Sequence, residues 1–183
     1  LEAGIEKLVT LLDDQPVHAL VNNAGISPKQ ENGDRLDTLT TDHSIWAEVL
    51  QVNLLAPALL TRRLTKSLQK GQGAVVNVTS IAGTRVHRFA GPAYAASKAA
   101  LSTLTRELAS DLGSLGIRVN AVSPGEIKTE MLSLANADEM IHDIPLHRLG
   151  DVEEVASAIY FLCCGSASYI NGAEIEINGG QHV

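Results

Sequence analysis

Ala74-Val75-Val76-Asn77-Val78, running into Thr79-Ser80, is the stretch that decides the fold. Its apolar residues run on without alternating, which fits a strand covered on both faces. Gly71 and Gly73 precede it and a glycine-bearing loop follows, so the chain turns at both ends. Beyond that loop the spacing predicts a helix from about Ala93 to Leu112, closed by Gly113. A strand from Ile117 to Val122 follows, broken by Pro124-Gly125. A strand, a long helix and a second strand form a crossover unit, which implies parallel strands and a right-handed connection.

The same alternation extends in both directions. Apolar residues at 1, 5, 8, 9, 11 and 12 predict a helix that Asp13-Asp14-Gln15-Pro16 stops before a short strand, Val17 to Val21. After a polar loop, Ser27 to Leu39, Thr41 or Asp42 can cap a helix carrying Ile45, Trp46, Val49, Leu50, Leu54 and Leu55. It is expected to kink at Pro57 and run to about Lys70. Residues 126 to 147 are mixed in character and expected to be partly mobile. Asp151 with Glu154 forms a capping box for a helix through Cys163, and a last strand, Glu174 to Ile177, ends at Asn178-Gly179-Gly180. The fold class is α/β, a doubly wound parallel sheet in a three-layer α/β/α arrangement, with residues 1–183 as one domain.

Composition narrows the partner. The 183 residues are 45% hydrophobic and 19% charged, with 15 Gly and 6 Pro, which suits one globular core. The balance of 14 basic and 21 acidic residues, −7, repels nucleic acid and anionic lipid, so a small molecule is the expected partner. No apolar run approaches the length of about 18 residues that a spanning helix needs, and the first residues lack a signal-peptide pattern, so a cytoplasmic protein is expected. Adjacent Cys163 and Cys164 fit buried thiols in a reducing compartment. The six histidines show no ligand spacing, so no metal is expected. The basic stripe Arg62, Arg63, Lys66 and Lys70 reads as a solvated face, and Arg85, His87 and Arg88 as an exposed loop. Asn77-Val78-Thr79 is a chance sequon on a buried strand.

In a parallel sheet, ligands bind beyond the carboxyl ends of the strands. There the chain carries Asn22-Asn23-Ala24-Gly25, then Thr79-Ser80, then Ser123-Pro124-Gly125. Tyr94 and Lys98 stand one helical turn apart with Cβ atoms about 5 to 6 Å from each other. A Lys charge at that range can lower a Tyr pKa from about 10 by a unit or more, toward the value a proton carrier needs. Ser80 can hydrogen-bond a substrate carbonyl whose oxygen then takes the Tyr94 proton.

Together these residues resemble the short-chain dehydrogenase/reductase family along the whole stretch from about Leu1 to Val183. Asn22-Asn23-Ala24-Gly25 resembles its NNAG signature, Asn53 its active-site asparagine, and Ser80, Tyr94 and Lys98 its serine and YxxxK. Pro124 through Thr129 resembles the segment around the nicotinamide, and Asn178-Gly179-Gly180 the closing DGG. The resemblance implies NAD or NADP as cofactor, a small alcohol or carbonyl substrate, such as a 3-oxoacyl compound, and a Rossmann-like sheet. Tyr94 would be the acid/base, Ser80 would polarise the carbonyl, and Lys98 would hold the nicotinamide ribose. Asn53 would hold a relay water, Asn23, Ala24 and Gly25 would line the adenosine side, and Pro124, Gly125, Ile127 and Thr129 would meet the nicotinamide.

The resemblance also implies a homodimer or homotetramer packed through the helices Ser44 to Lys70 and Ala93 to Leu112. Met131, Leu132 and Leu134 fall where the family carries a substrate lid. The family's glycine-rich phosphate turn does not occur in these residues, which begin with Leu1. The expectation is therefore a segment lacking the first strands, roughly 60 residues, with Val17 to Val21 exposed as an apolar edge. The rival reading is a non-catalytic oligomerisation or binding module that has lost the cofactor.

Overall fold

Four strands, β1 (Ala19–Asn22), β2 (Ala74–Val78), β3 (Arg118–Pro124) and β4 (Glu174–Ile177), lie parallel in the order β1-β2-β3-β4. The computed structural model describes residues 1–129 and 137–183. The register sets Val75 between Leu20 and Val119, and Asn77 between Asn22 and Ala121. Successive side chains of β2 and β3 point to opposite faces. Val75 and Val119 meet Leu64 and Leu68 of α3 (Ala56–Gly71), and Ala109 of α4 (Pro92–Gly113). Val76 and Val122 meet Leu162 of α6 (Val152–Cys163) on the other side. All four valines are 0% exposed, and each stabilises the fold by roughly 1.5–3 kcal/mol. The three layers expected from the alternation are therefore present.

Two asparagines inside the sheet are satisfied, which fixes register as well as packing, whereas the buried Ser123 hydroxyl of β3 has no partner among the described residues. Asn77 donates to Thr105 Oγ1 at 2.9 Å and accepts from Asn22 Nδ2 at 2.8 Å, tying β1, β2 and α4 together. Asn120 donates to the Ile170 carbonyl at 2.9 Å and accepts from the Ala173 N–H at 3.0 Å.

Several boundaries differ from the sequence reading. β1 starts at Ala19, not Val17, because the Val17 N–H is taken by the Ser67 carbonyl at the end of α3. β3 starts at Arg118 and continues through Pro124, whose carbonyl end still lies opposite Ile177. The helix expected to kink at Pro57 is α2 (His43–Leu50), a π-helical segment (Gln51–Leu55) and then α3. Asp42 caps it, accepting from the Ile45 N–H at 3.0 Å. Pro57 has no N–H to offer the Asn53 carbonyl, and just ahead of it the Ala56 N–H bonds to Gln51 instead of to residue 52. The helix ends through Gln72 in the left-handed conformation, φ 46°, and not through a glycine.

Within the segment read as mixed lies α5 (Ala137–His142), and Met140, Ile144 and Leu149 form a third buried cluster. Met131, Leu132 and Leu134 lie outside the described residues. Cys163 and Cys164 are half-buried, not buried, because they end α6 where it leaves the sheet. The basic stripe meets α1 (Glu2–Leu12) and the turn after it through exposed pairs, Arg63 with Glu6 and Lys70 with Asp14. Such pairs contribute about 1 kcal/mol or less. β1 is an edge strand whose Val21 is 40% exposed. Among the described residues, His43–Gly71 is one helix long and apolar enough to cross a membrane, by length and composition alone, with a mean hydropathy of 1.3. The single-run reading missed it because polar residues interrupt the apolar ones.

Candidate active site

The carboxyl ends of β1, β2 and β3 open into a cleft of about 780 Å³. Asn23, Ala24 and Gly25, leaving β1, form one wall, and Pro124, Gly125, Ile127 and Thr129, leaving β3, form the opposite one. Ser80, just past β2, and Tyr94 and Lys98, from the first turns of α4, lie between them. Asn53 alone among the expected site residues is not on the cleft surface.

Ser80 has extended backbone, and its hydroxyl accepts from the Ala82 N–H at 3.1 Å, capping the short helical turn Ile81–Gly83. That turn docks on α4 so closely that a Cβ on Gly83 would stand 2.8 Å from the Ala99 nitrogen. Only glycine permits this approach, which brings Ser80 within hydrogen-bonding reach of the Tyr94 hydroxyl.

Lys98 is 4% exposed, and its Nζ donates to the Val78 carbonyl at 2.6 Å and lies 5.6 Å from the centre of the Tyr94 ring. Burial brings its pKa down to about 8. An ammonium has three donors, and Val78 accounts for one among the described residues. A Cβ on Gly25 would come within 3.4 Å of this Nζ, so the glycine leaves room beside the remaining donors. A ribose diol of a nicotinamide dinucleotide fits that arrangement: a buried cation with unused donors at the floor of an open cleft.

The expected lowering of the Tyr94 pKa is not what the structure gives. Burial pushes the phenol above its ordinary value of 10.0, the hydrogen bond from Ser80 pulls it back, and the Glu126 charge pushes it further up. The Lys98 ammonium donates to the Val78 carbonyl at the end of β2 and lies over the Tyr94 ring, and its charge is not among the effects that set the Tyr94 pKa. Tyr94 is consequently held in its protonated, donor form.

Asn53 is 0% exposed, and both N–H donors of its amide are used. Oδ1 accepts from the Ile26 N–H at 2.8 Å, while Nδ2 donates to the Ile26 carbonyl at 2.9 Å and to Ser97 Oγ at 3.0 Å. The side chain clamps the loop after β1 onto α4. It therefore positions this loop, and Oδ1, with one of its two acceptor sites used among the described residues, keeps a place for a further donor.

The sequence reading passed over three residues. His87, set aside as part of an exposed loop, is folded into the cleft with Glu126, its Nε2 2.8 Å from Glu126 Oε1. Lys29, within the loop read as merely polar, also reaches the cleft, and burial lowers its pKa. The available signal was an acidic residue immediately after the strand-end Pro124-Gly125, where small residues dominate the other strand ends.

Comparison with known proteins gives concordant findings. A family model described as Enoyl-(Acyl carrier protein) reductase matches residues 2–182. The chain is similar to Protein FixR of Bradyrhizobium diazoefficiens, 54% identical over 183 residues, covering 100% of this chain and 66% of that protein. An oxidoreductase of the short chain dehydrogenase/reductase family from Brucella ovis, solved in complex with a partially ordered NAD, superposes with a TM-score of 0.77. It is 50% identical and covers 95% of this chain and 71% of its own. A 3-oxoacyl-[acyl-carrier protein] reductase from Brucella melitensis with bound NAD gives a TM-score of 0.89 at 35% identity, covering 98% and 68%. The chain thus spans about two thirds of the length of such relatives.

Proposed function

The chain belongs to the short-chain dehydrogenase/reductase family, and on that premise we propose that the intact protein is an NAD- or NADP-dependent oxidoreductase interconverting a secondary alcohol and a carbonyl. The observation that carries this reading is the convergence of the Ser80 and Tyr94 hydroxyls with the Lys98 ammonium on one wall of the cleft. Two hydroxyls in contact present donors to a single substrate oxygen, which suits a carbonyl.

When bound, the reduced dinucleotide supplies a hydride to the carbonyl carbon. Charge then develops on the oxygen, and the chain's own groups meet it. Ser80 holds that oxygen by its hydroxyl, and Tyr94, kept protonated by burial, gives up its proton to form the alcohol. Lys98 would grip the ribose diol and keep a positive charge near the reacting centre. Ile127 and Thr129, which line the cleft, would border the nicotinamide end, and Asn23, Ala24 and Gly25 the adenosine side. Loss of a proton from Tyr94 is needed for the reverse direction, so alcohol oxidation gains from alkaline pH.

The direct experiment mixes the intact protein with NADH or NADPH and a 3-oxoacyl thioester of the kind the Brucella melitensis relative is named for. Substrate-dependent oxidation of the dinucleotide is expected. Failure to bind either dinucleotide would instead favour the non-catalytic binding module.

The assembly we propose is a homodimer or homotetramer in the cytoplasm, packed through α2, α3 and α4. Only 22% of the apolar window in His43–Gly71 is buried within the chain, which leaves most of that surface to a second copy. Light scattering of the intact protein is expected to give two or four times the chain mass, and a strictly monomeric mass would refute the assembly. Fractionation of cells is expected to place it in the soluble cytoplasmic pool, and recovery with membranes would contradict that.

A further inference from the structure

Glu126 is 8% exposed and lines the cleft beside Tyr94. Its neighbour His87 fixes both the orientation and the hydrogen-bond polarity. His87 Nδ1 accepts from the Phe89 N–H at 3.3 Å, so Nε2 carries the proton and donates to Glu126 Oε1 at 2.8 Å. The second carboxylate oxygen has no hydrogen-bond partner among the described residues. The surrounding cations hydrogen-bond or pair elsewhere, Lys29 on the Phe89 carbonyl, Arg85 on the Gln181 carbonyl, Lys128 on Asp151 and Arg88 with Asp143, although the Lys29 charge is close enough to interact with Glu126. A carboxylate this deep is costly to hold unless a cation or strong donor joins it.

Resting on the oxidoreductase reading above, we propose that Glu126, held by His87, binds an ammonium group carried by the substrate next to its reacting carbinol or carbonyl. The preferred substrate class is then a small amino alcohol and its amino ketone, ahead of neutral carbonyl compounds. A neutral hydroxyl would give Oε2 an ordinary hydrogen bond and add no charge, whereas an ammonium would make a charge-assisted bond with it. It also acts on the chemistry: the Glu126 charge is one of the effects that raises the Tyr94 pKa, and pairing it relieves that effect once substrate is bound. In the oxidative direction the carbinol C–H bond gives its hydride to the oxidised dinucleotide. The hydroxyl proton leaves through Tyr94, and an amino ketone and the reduced dinucleotide result.

The test compares 1-amino-2-propanol with 1,2-propanediol, which differ by an ammonium in place of a hydroxyl, using the intact protein with NAD or NADP. The wild-type protein is expected to favour the amine by at least about tenfold in kcat/KM. Glu126→Gln, which keeps an acceptor but removes the charge, is expected to collapse that ratio to near one, and Glu126→Asp to preserve a preference for the amine. Equal use of the two probes by the wild type, or a ratio unchanged in Glu126→Gln, would overturn the proposal while leaving the oxidoreductase reading in place. So would oxidation of neither probe by a protein that reduces acetoacetyl thioesters. Inactivity toward all three substrates with either dinucleotide would overturn both. The wild-type comparison needs no variant, so a folding defect in one cannot rescue the idea.

Discussion

Tyr94→Phe in the intact protein is expected to reduce kcat for carbonyl reduction by about 10²–10⁴-fold, the usual range for a positioned proton carrier. Affinity for NADH is expected to change by less than about tenfold, because the substitution removes one oxygen and leaves the ring over which Lys98 sits. The fold should tolerate the change, since the hydroxyl's partner in the chain is Ser80, at the edge of an open cleft where water can replace it. Steady-state kinetics together with fluorescence titration of NADH separate the two quantities. A variant with normal kcat would show that the proton comes from elsewhere, and a variant that no longer bound NADH would make Tyr94 a cofactor ligand first.

Lys98→Met separates activity from stability. The ammonium's pKa falls from an ordinary 10.5 to about 8 because burial penalises its charged form. Below about pH 8 the lysine is protonated in both folded and unfolded chains, and the folded state carries the whole penalty. Between about pH 8 and about pH 10.5 the unfolded chain binds the proton and the folded one does not, so wild-type stability rises with pH. The gap corresponds to about 3 kcal/mol. Methionine removes that penalty at neutral pH, offset by about 1–3 kcal/mol for leaving the Val78 carbonyl unpaired. The expected result is a variant at least about hundredfold less active yet no less stable at pH 7, losing ground to the wild type as pH rises. Thermal unfolding across pH checks the sign. A large destabilisation at neutral pH would mean that the ammonium holds the fold together instead of being held by it.

Local chemistry accounts for the parts of the fold that could be read from sequence. β2 and β4 match their expected spans residue for residue, and Asp151 with Glu154 starts α6 where the capping box predicts. Those signals lie within a few residues of one another. The cleft walls were legible for a related reason: small residues after three successive strands leave space, and in a parallel sheet that space lies at one rim. What spacing along a helix could not reveal was direction. Tyr94 and Lys98 do share a face, but the ammonium is aimed at Val78, and the burial that raises the phenol depends on walls contributed by distant loops. The π-helical segment was hidden because it reflects how Asn53 is pulled inward onto Ile26 and Ser97, contacts 27 and 44 residues away. His87 and Glu126 lie 39 residues apart, and nothing in either local sequence pairs them.

The proton held on Tyr94 is tested most directly by the pH dependence of a single turnover, following oxidation of bound NADH by a carbonyl substrate from neutral to strongly alkaline pH. Burial and Glu126 predict a fall above pH 10, the ordinary tyrosine value, that is absent in Tyr94→Phe, while a step near pH 8 that Tyr94→Phe retains belongs to Lys98. A rate that already declines near neutrality, or a limb above pH 10 unchanged by Tyr94→Phe, would contradict Tyr94 as the proton donor.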